Sequence, residues 1–216
     1  MKLLEMKNKL ALETAKLIFQ NNINPIFIGG TALNAFYLDY RYSEDLDLAY
    51  TNTNISSEIE SLLSGHGYTV SRTNVDFRYL IDFEGVSIKL DILEYKKKYN
   101  GFTEKAIGQT KIKTLKIEEF LVEKVITFFT REDLAGSGRD GYDLFSIDRK
   151  YSSAISITSK AKKIILSNIV SLNHNLGLFQ DNIQKIENAV NPYLKIPVDS
   201  REVLEFLKAI QGVLRD

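Results

Sequence analysis

The tetrapeptide Asp45-Leu46-Asp47-Leu48 constrains this chain more than any other segment. Successive side chains leave an extended strand on opposite faces, so Leu46 and Leu48 enter a core while Asp45 and Asp47 stand together on the other side. Two neighbouring carboxylates repel each other, and a hard divalent cation between them relieves the repulsion. The strand therefore calls for a sheet with one covered face and one face open to a charged ligand. The preceding residues suit that arrangement. Pro25 to Ile28 reads as a short apolar strand, followed by Gly29-Gly30, Thr31 and a helix-forming stretch. A diglycine lets the backbone approach a ligand closely and opens a helix N-terminus, where free amides and the macrodipole favour phosphate. An Arg41-Tyr42-Ser43 turn then leads into the acids.

Two regimes of periodicity divide the rest of the chain. Leu3, Met6, Leu10, Leu17 and Ile18 lie near helical spacing, which predicts an amphipathic helix over Leu3 to Phe19, stopping at Asn21-Asn22. A second helix is expected from Asn54 through Leu63, closed by Gly65-His66-Gly67. His66 has no second metal-type residue at a fixed offset and reads as a loop residue. Val75, Phe77, Tyr79, Ile81 and Phe83 alternate with Asp76, Arg78 and Asp82, and Val86, Ile88, Leu90 and Ile92 alternate with Ser87, Lys89 and Asp91. Glu84-Gly85 supplies a tight turn between the two strands. Asp91 thus leaves its strand opposite the apolar set. Beside the Asp45/Asp47 strand it becomes a third carboxylate; elsewhere it is a solvated residue on an outer face. Lys96 to Lys98, before Tyr99-Asn100-Gly101, reads as a basic loop, and Thr110 to Lys116 as one more edge strand.

From Ile117 the period is helical. Ile117, Phe120, Leu121, Val125 and Phe128 form one stripe, with Lys124 inside it. A lysine there costs free energy unless its head reaches water or meets a negative partner. It either snorkels or points at an anionic group such as a nucleotide phosphate. Arg131 to Gly138, with two glycines, reads as a mobile loop between helices. Ser159 to Asp216 reads as three amphipathic helices, divided near Asn173-His174 and at Asn191-Pro192. The expected organisation is α+β: a mixed sheet flanked by helices in residues 1–114, then a C-terminal helical bundle in residues 115–216 that closes the cleft.

Composition narrows the function classes. The 28 basic and 28 acidic residues balance, so there is no global signature of a nucleic-acid binder, although a local basic groove remains open. Without cysteine, neither a disulfide framework nor a thiolate zinc site is available. Residues 1–20 mix Lys and Glu with Leu, unlike a signal peptide, and no apolar run is long enough to span a bilayer. A soluble cytoplasmic protein with no membrane partner is expected.

Gly-Gly followed by Arg-x-Ser-x-Asp-x-Asp resembles the nucleotidyltransferase superfamily of the DNA polymerase β type. More narrowly, GGTAL, a following Tyr and R-x-SEDLDL resemble the AbiEii/AbiGii group, the toxins of type IV toxin–antitoxin systems. The resemblance covers most of Ile28 to Phe145. It implies a nucleotidyltransferase-type sheet, with the third acid on a later strand. It also implies a lysine in a following helix, here Lys124, and an Arg-Asp-x-Tyr-Asp-Leu run, here Arg139-Asp140-Gly141-Tyr142-Asp143-Leu144. Gly141 departs from the larger residue expected there and leaves the helix start open. Asp140 and Asp143 are nucleotide-binding residues on this reading, or else an N-cap and a first-turn acid.

The implied reaction moves a nucleoside monophosphate from an NTP to an acceptor and releases pyrophosphate. Asp45, Asp47 and Asp91 are the expected ligands of Mg²⁺ or Mn²⁺, and Asp91 could also assist removal of the acceptor proton. Gly29, Gly30, Thr31 and Ser43 are expected to hold phosphates, while Arg41 and Lys124 offset charge on the transferring and leaving groups. The family further implies an antitoxin, acting as a protein partner or indirectly, and an RNA acceptor such as the transfer-RNA 3′ end. Lys96 to Lys98, Lys105, Lys111, Lys113 and Lys116 could form a basic rim for it. Two other readings stay open: a nucleotidyltransferase acting on a small molecule or protein, and a catalytically silent NTP-binding or interaction module.

Overall fold

The computed structural model describes residues 3–51, 53–96 and 99–216. They form two compact units. The first comprises residues 3–96 with Gly101–Lys116, and the second comprises residues 99–100 with Ile117–Asp216.

In the first unit, helix α1 (Leu3–Gln20) precedes β1 (Ile26–Ile28), which runs straight into α2 (Gly29–Leu33) and a π-helical turn at Asn34–Leu38. Strand β2 (Asp45–Tyr50), helix α3 (Ser56–Gly65) and strands β3 (Thr69–Arg72), β4 (Arg78–Phe83), β5 (Val86–Glu94), β6 (Phe102–Ile107) and β7 (Thr110–Leu115) follow. The strands form one mixed sheet in the order β3-β4-β5-β2-β1-β7-β6. β2 is therefore central. It pairs antiparallel with β1 and parallel with β5.

The alternation does what strand geometry requires. Leu46 and Leu48 are fully buried, whereas Asp45 and Asp47 are half-buried on the opposite face. α1 lies against β2, β5 and β7 and buries Leu10, Ala11, Ala15 and Ile18. Glu84 and Gly85 both take positive φ, 53° and 79°, as a two-residue hairpin turn of the right hand demands.

Three expectations about this unit change. Thr110–Leu115 is an interior strand, because β6 pairs along its outer side and β1 along its inner side. β6 and β3 have no clean apolar alternation and were not foreseen. β4 begins at Arg78, since residues 73–78 form a turn in which the Thr73 hydroxyl donates to the Arg78 carbonyl at 3.0 Å. His66 is the C-cap of α3, its ring nitrogen 2.9 Å from the Leu62 carbonyl. Lys97 and Lys98, the core of the expected basic loop, lie outside the described residues.

The second unit contains α4 (Ile117–Thr130), α5 (Leu134–Tyr151), α6 (Ala154–Leu166), α7 (His174–Asp181), α8 (Ile183–Val190), a 3₁₀ turn at Asn191–Tyr193 and α9 (Ser200–Arg215). The expected loop over Arg131 to Gly138 shrinks to residues 131–133, and Leu134 onward is the start of α5. Asp133 is its N-cap and accepts a hydrogen bond from the Gly136 amide at 2.6 Å. The glycines there serve close approach. A Cβ on Gly136 would lie 2.4 Å from the Arg131 guanidinium, and one on Gly138 would lie 2.7 Å from Ile186. At Gly141 a Cβ would lie 3.1 Å from Leu207 and 3.3 Å from Phe179, so a larger residue requires those side chains to give way. The expected break at Asn191-Pro192 holds, and a further break at Asn182 divides the segment before it into α7 and α8. Among the described residues, no helix is long and apolar enough to cross a membrane.

Candidate active site

In the first unit, side chains at paired positions of neighbouring strands share a face. Asp47 pairs with Asp91 of β5, and Asp91 pairs with Arg78 of β4, so Asp47, Asp91 and Arg78 form one row across the sheet. Asp45 stands one step along on the same face, paired with Lys89. Its carboxylate lies 3.7 Å from the Lys89 ammonium, a loose and half-exposed contact. The other end of the row is closed by Ile28, which pairs with Asp47.

Gly29 follows immediately, and its conformation explains its identity. Its φ is 73°, and a Cβ there would lie 1.9 Å from an Asp47 carboxylate oxygen. No side chain is compatible with the carboxylate in that place. At Gly30 a Cβ would lie 2.6 Å from the Arg41 guanidinium and 3.4 Å from the Ser43 hydroxyl oxygen. The diglycine thus brings Asp47, Arg41 and Ser43 against bare backbone.

The shell that holds this geometry is polar and buried. The Thr31 hydroxyl donates to the backbone carbonyl of Asp45, fixing α2 to β2. Asn34 donates to the Gly30 carbonyl at 3.0 Å and accepts from the Arg41 amide at 3.4 Å. Arg41 itself is buried and donates to the Tyr42 carbonyl at 3.0 Å. Asn8 of α1 accepts from the Ser43 amide at 3.0 Å. Asn8 and Asn34 escaped sequence reading because their partners are backbone groups, which leave no pattern in the sequence.

Arg78 is the larger omission. It donates to both oxygens of Asp91, from Nε at 2.8 Å and from Nη2 at 2.7 Å. These bonds, and the fields of Asp91, Asp45 and Asp47, raise the guanidinium pKa above its ordinary value against the opposing effect of burial. A signal existed. The two-residue turn at Glu84-Gly85 fixes the hairpin register, and counting back from the Phe83–Val86 pair puts Arg78 opposite Asp91.

Whether the residues fit a divalent cation follows from the donors. Asp45 and Asp47 present hard carboxylate oxygens, Asp47 against the bare backbone of Gly29, and Asp91 already holds a cationic group. That is the chemistry Mg²⁺ or Mn²⁺ prefers. Among the described residues, however, no three acidic or histidine side chains converge closely enough to share one ion. The donor chemistry suits such an ion, while both Asp91 oxygens are engaged by Arg78.

The second unit carries its own charged cluster. Lys124 of α4 places its ammonium 2.6 Å from Asp140 and 2.8 Å from Asp143 of α5. Arg131 approaches the second Asp140 oxygen at 3.3 Å. Lys124 therefore meets negative partners instead of snorkelling. Asp140 and Asp143 lie well inside α5, two turns or more beyond its cap, so neither caps the helix. Nearby, Asn175 of α7 donates to the Phe128 and Arg131 carbonyls at 2.6 Å each, closing the end of α4.

The family model for the nucleotidyl transferase AbiEii toxin of type IV toxin–antitoxin systems matches residues 15–168. No curated protein matches the chain. Among solved structures, JHP933 from Helicobacter pylori is similar over 100% of this chain and 93% of its own, with 18% identity and a TM-score of 0.59. A second H. pylori structure, of a proposed nucleotidyltransferase, is similar over 97% and 94%, with 18% identity and a TM-score of 0.57. An antigenic nucleotidyltransferase-like protein from Paracoccidioides brasiliensis follows at 90% and 94%, 18% and 0.51. At such identities the likeness is one of fold.

Proposed function

The chain belongs to the AbiEii family of nucleotidyltransferase toxins of type IV toxin–antitoxin systems, and from that premise we propose that it transfers a nucleoside monophosphate from an NTP to an acceptor hydroxyl. The bond between the α-phosphorus and the bridging oxygen breaks, the acceptor oxygen bonds to the α-phosphorus, and pyrophosphate leaves. One observation carries the reading. Asp45, Asp47 and Asp91 share a face on adjoining parallel strands, with the bare backbone of Gly29 against Asp47.

In this reading Asp45, Asp47 and Asp91 hold Mg²⁺ or Mn²⁺. Such an ion neutralises phosphate charge and lowers the pKa of an acceptor hydroxyl when bound. Asp91 could also assist removal of the acceptor proton. Gly29 and Gly30 admit the phosphates, and the Ser43 hydroxyl and Arg41 guanidinium beside Gly30 contact them. The Thr31 hydroxyl, given to the Asp45 carbonyl, orients the strand that carries the acids. Lys124, Asp140 and Asp143 of the second unit are nucleotide-binding residues in this reading, which is supported by a family match that extends to residue 168.

The proposed acceptor is the 3′ end of a transfer RNA, and the proposed partner is a cognate antitoxin. Purified protein is incubated with Mg²⁺, each labelled NTP in turn and total bacterial RNA, beside Asp45→Ala and Asp47→Asn. The expected result is label in a transfer-RNA-sized band with the wild type alone. Label on protein or a small molecule would replace the RNA acceptor. NTP binding with no transfer to any acceptor would sink the reaction and leave a silent nucleotide-binding module.

A further inference from the structure

We propose that Arg78 is the positioning residue of Asp91: it holds that carboxylate in the cation-free chain, and it must yield the carboxylate for a divalent cation to bind there. The proposal rests on the metal-dependent reading above and goes beyond it, because Arg78 is assigned no part in that reaction.

Three observations lead to it. First, the contact is a two-pronged fork, with both Asp91 oxygens engaged at 2.8 and 2.7 Å. Charge-assisted forks of this kind are the strong and directional ones. Second, the fork sits in the acid row itself, opposite Asp91, which is opposite Asp47. A dication on Asp47 and Asp91 would face the guanidinium across one carboxylate, and the two cations would repel. Third, the structure gives the guanidinium somewhere to go. The Arg78 backbone is pinned by the 73–78 turn, where its carbonyl accepts from Thr73 and its amide donates to the Val75 carbonyl at 2.9 Å. Its side chain is 36% exposed, against 13% for Asp91, and the Phe77 ring lies 5.7 Å from its guanidinium carbon. Phe77 is itself an exposed aromatic, held in place by its carbonyl accepting from the Ile92 amide. The guanidinium already lies over this ring while it holds Asp91, so a swing toward solvent can keep the aromatic contact as the fork opens.

Arg78 thus substitutes for the metal. It keeps three neighbouring carboxylates from repelling each other before the ion arrives, and it competes with the ion afterwards. The two effects predict opposite signs for one substitution. Removing the guanidinium should weaken the fold without metal and tighten metal binding.

Mn²⁺ alone, with no nucleotide, is the probe, and its binding is followed by the paramagnetic resonance of the free ion and by thermal melting. Arg78→Gln should bind Mn²⁺ about tenfold tighter than the wild type, the order expected from loss of one strong competing contact. Its metal-free melting point should fall, and the rise produced by Mn²⁺ should exceed that of the wild type. Arg78→Lys keeps the charge but loses the fork, so its affinity should lie between the two. It also supplies the test of direction should the glutamine variant fail to fold. Arg72→Gln, which removes the same charge from exposed strand β3, should leave Mn²⁺ affinity unchanged.

An Arg78→Gln affinity equal to or weaker than the wild type overturns the proposal, as does a matching gain in Arg72→Gln. A lower melting point with unchanged affinity would mean a structural ion pair only, and also overturns it. Asp47→Asn separates this inference from its premise. If the wild type shows no Mn²⁺ binding that Asp47→Asn abolishes, the metal reading fails first. If it does, and Arg78→Gln changes nothing, only the role of Arg78 fails.

Discussion

Lys124→Met removes one ammonium and leaves the two carboxylates of α5 that surround it. The ammonium lies 2.6 Å from Asp140 and 2.8 Å from Asp143, and the three side chains are 11%, 2% and 0% exposed. Both carboxylates lose the ammonium, and Asp140 keeps Arg131 at 3.3 Å. Removing one partner of a buried ion pair costs about 3–5 kcal/mol, because the remaining charge stays desolvated. Methionine keeps most of the apolar stem, so lost packing adds little. That is a large part of the roughly 5–15 kcal/mol that holds a typical domain together. Urea unfolding followed by far-ultraviolet circular dichroism reads the change directly. The double variant Lys124→Met with Asp143→Leu removes both charges and should recover most of the loss. A cost below about 1 kcal/mol for Lys124→Met, the worth of a solvent-exposed pair, would refute the reasoning. So would a double variant no more stable than the single.

Gly29→Ala forces a Cβ onto the Asp47 carboxylate at a φ of 73°; moving that carboxylate by about 1 Å should lower nucleotidyl transfer by roughly two orders of magnitude, and near-normal turnover would contradict the close-approach argument. Gly138→Val pushes into Ile186, 2.7 Å from the Cβ position. It should cost about 1–3 kcal/mol in a urea melt, whereas a neutral result would return this segment to a loop. Burial raises the Tyr142 phenol above its usual 10.0, with Ser200 beside it pulling the other way. A raised folded pKa means stability that is whole below pH 10 and is lost as pH climbs from there through the folded value. The urea midpoint should therefore fall with alkaline pH, and Tyr142→Phe should flatten the fall; identical profiles would count against the buried phenol.

The parts of the fold that were legible in the sequence are those whose cause is local. Alternation exposed β2, β4 and β5, and the Glu84-Gly85 turn paired the last two. From there, the adjacency of Asp91 to Asp47 needed only the pairing of β5 with β2. What was hidden depends on distant partners. Gly136 and Gly138 look like loop residues until Arg131 and, far along the chain, Ile186 are seen to need the space. That Lys124 meets Asp140 and Asp143 of α5 could not be read from its own helical stripe, because both acids lie on another helix. β6 has little apolar alternation because none of its residues is fully buried, so neither face demands an apolar row. Arg78 was in view as a polar residue of its strand. Only the hairpin register shows that it faces an acid of the candidate site.

The strand order also dictates a timetable for synthesis. The acid row is built from β1, β2, β4 and β5, all made by residue 94. β1, however, acquires its second neighbour only when β7 emerges at Thr110–Leu115. A growing chain that has just passed β5 already carries every carboxylate of the row, yet β1 would still be a raw sheet margin of Ile26, Phe27 and Ile28. Such a margin invites pairing with other chains. A fragment ending before Thr110 should therefore self-associate, and stalled translation in that window yields an aggregate where the finished chain yields a closed sheet.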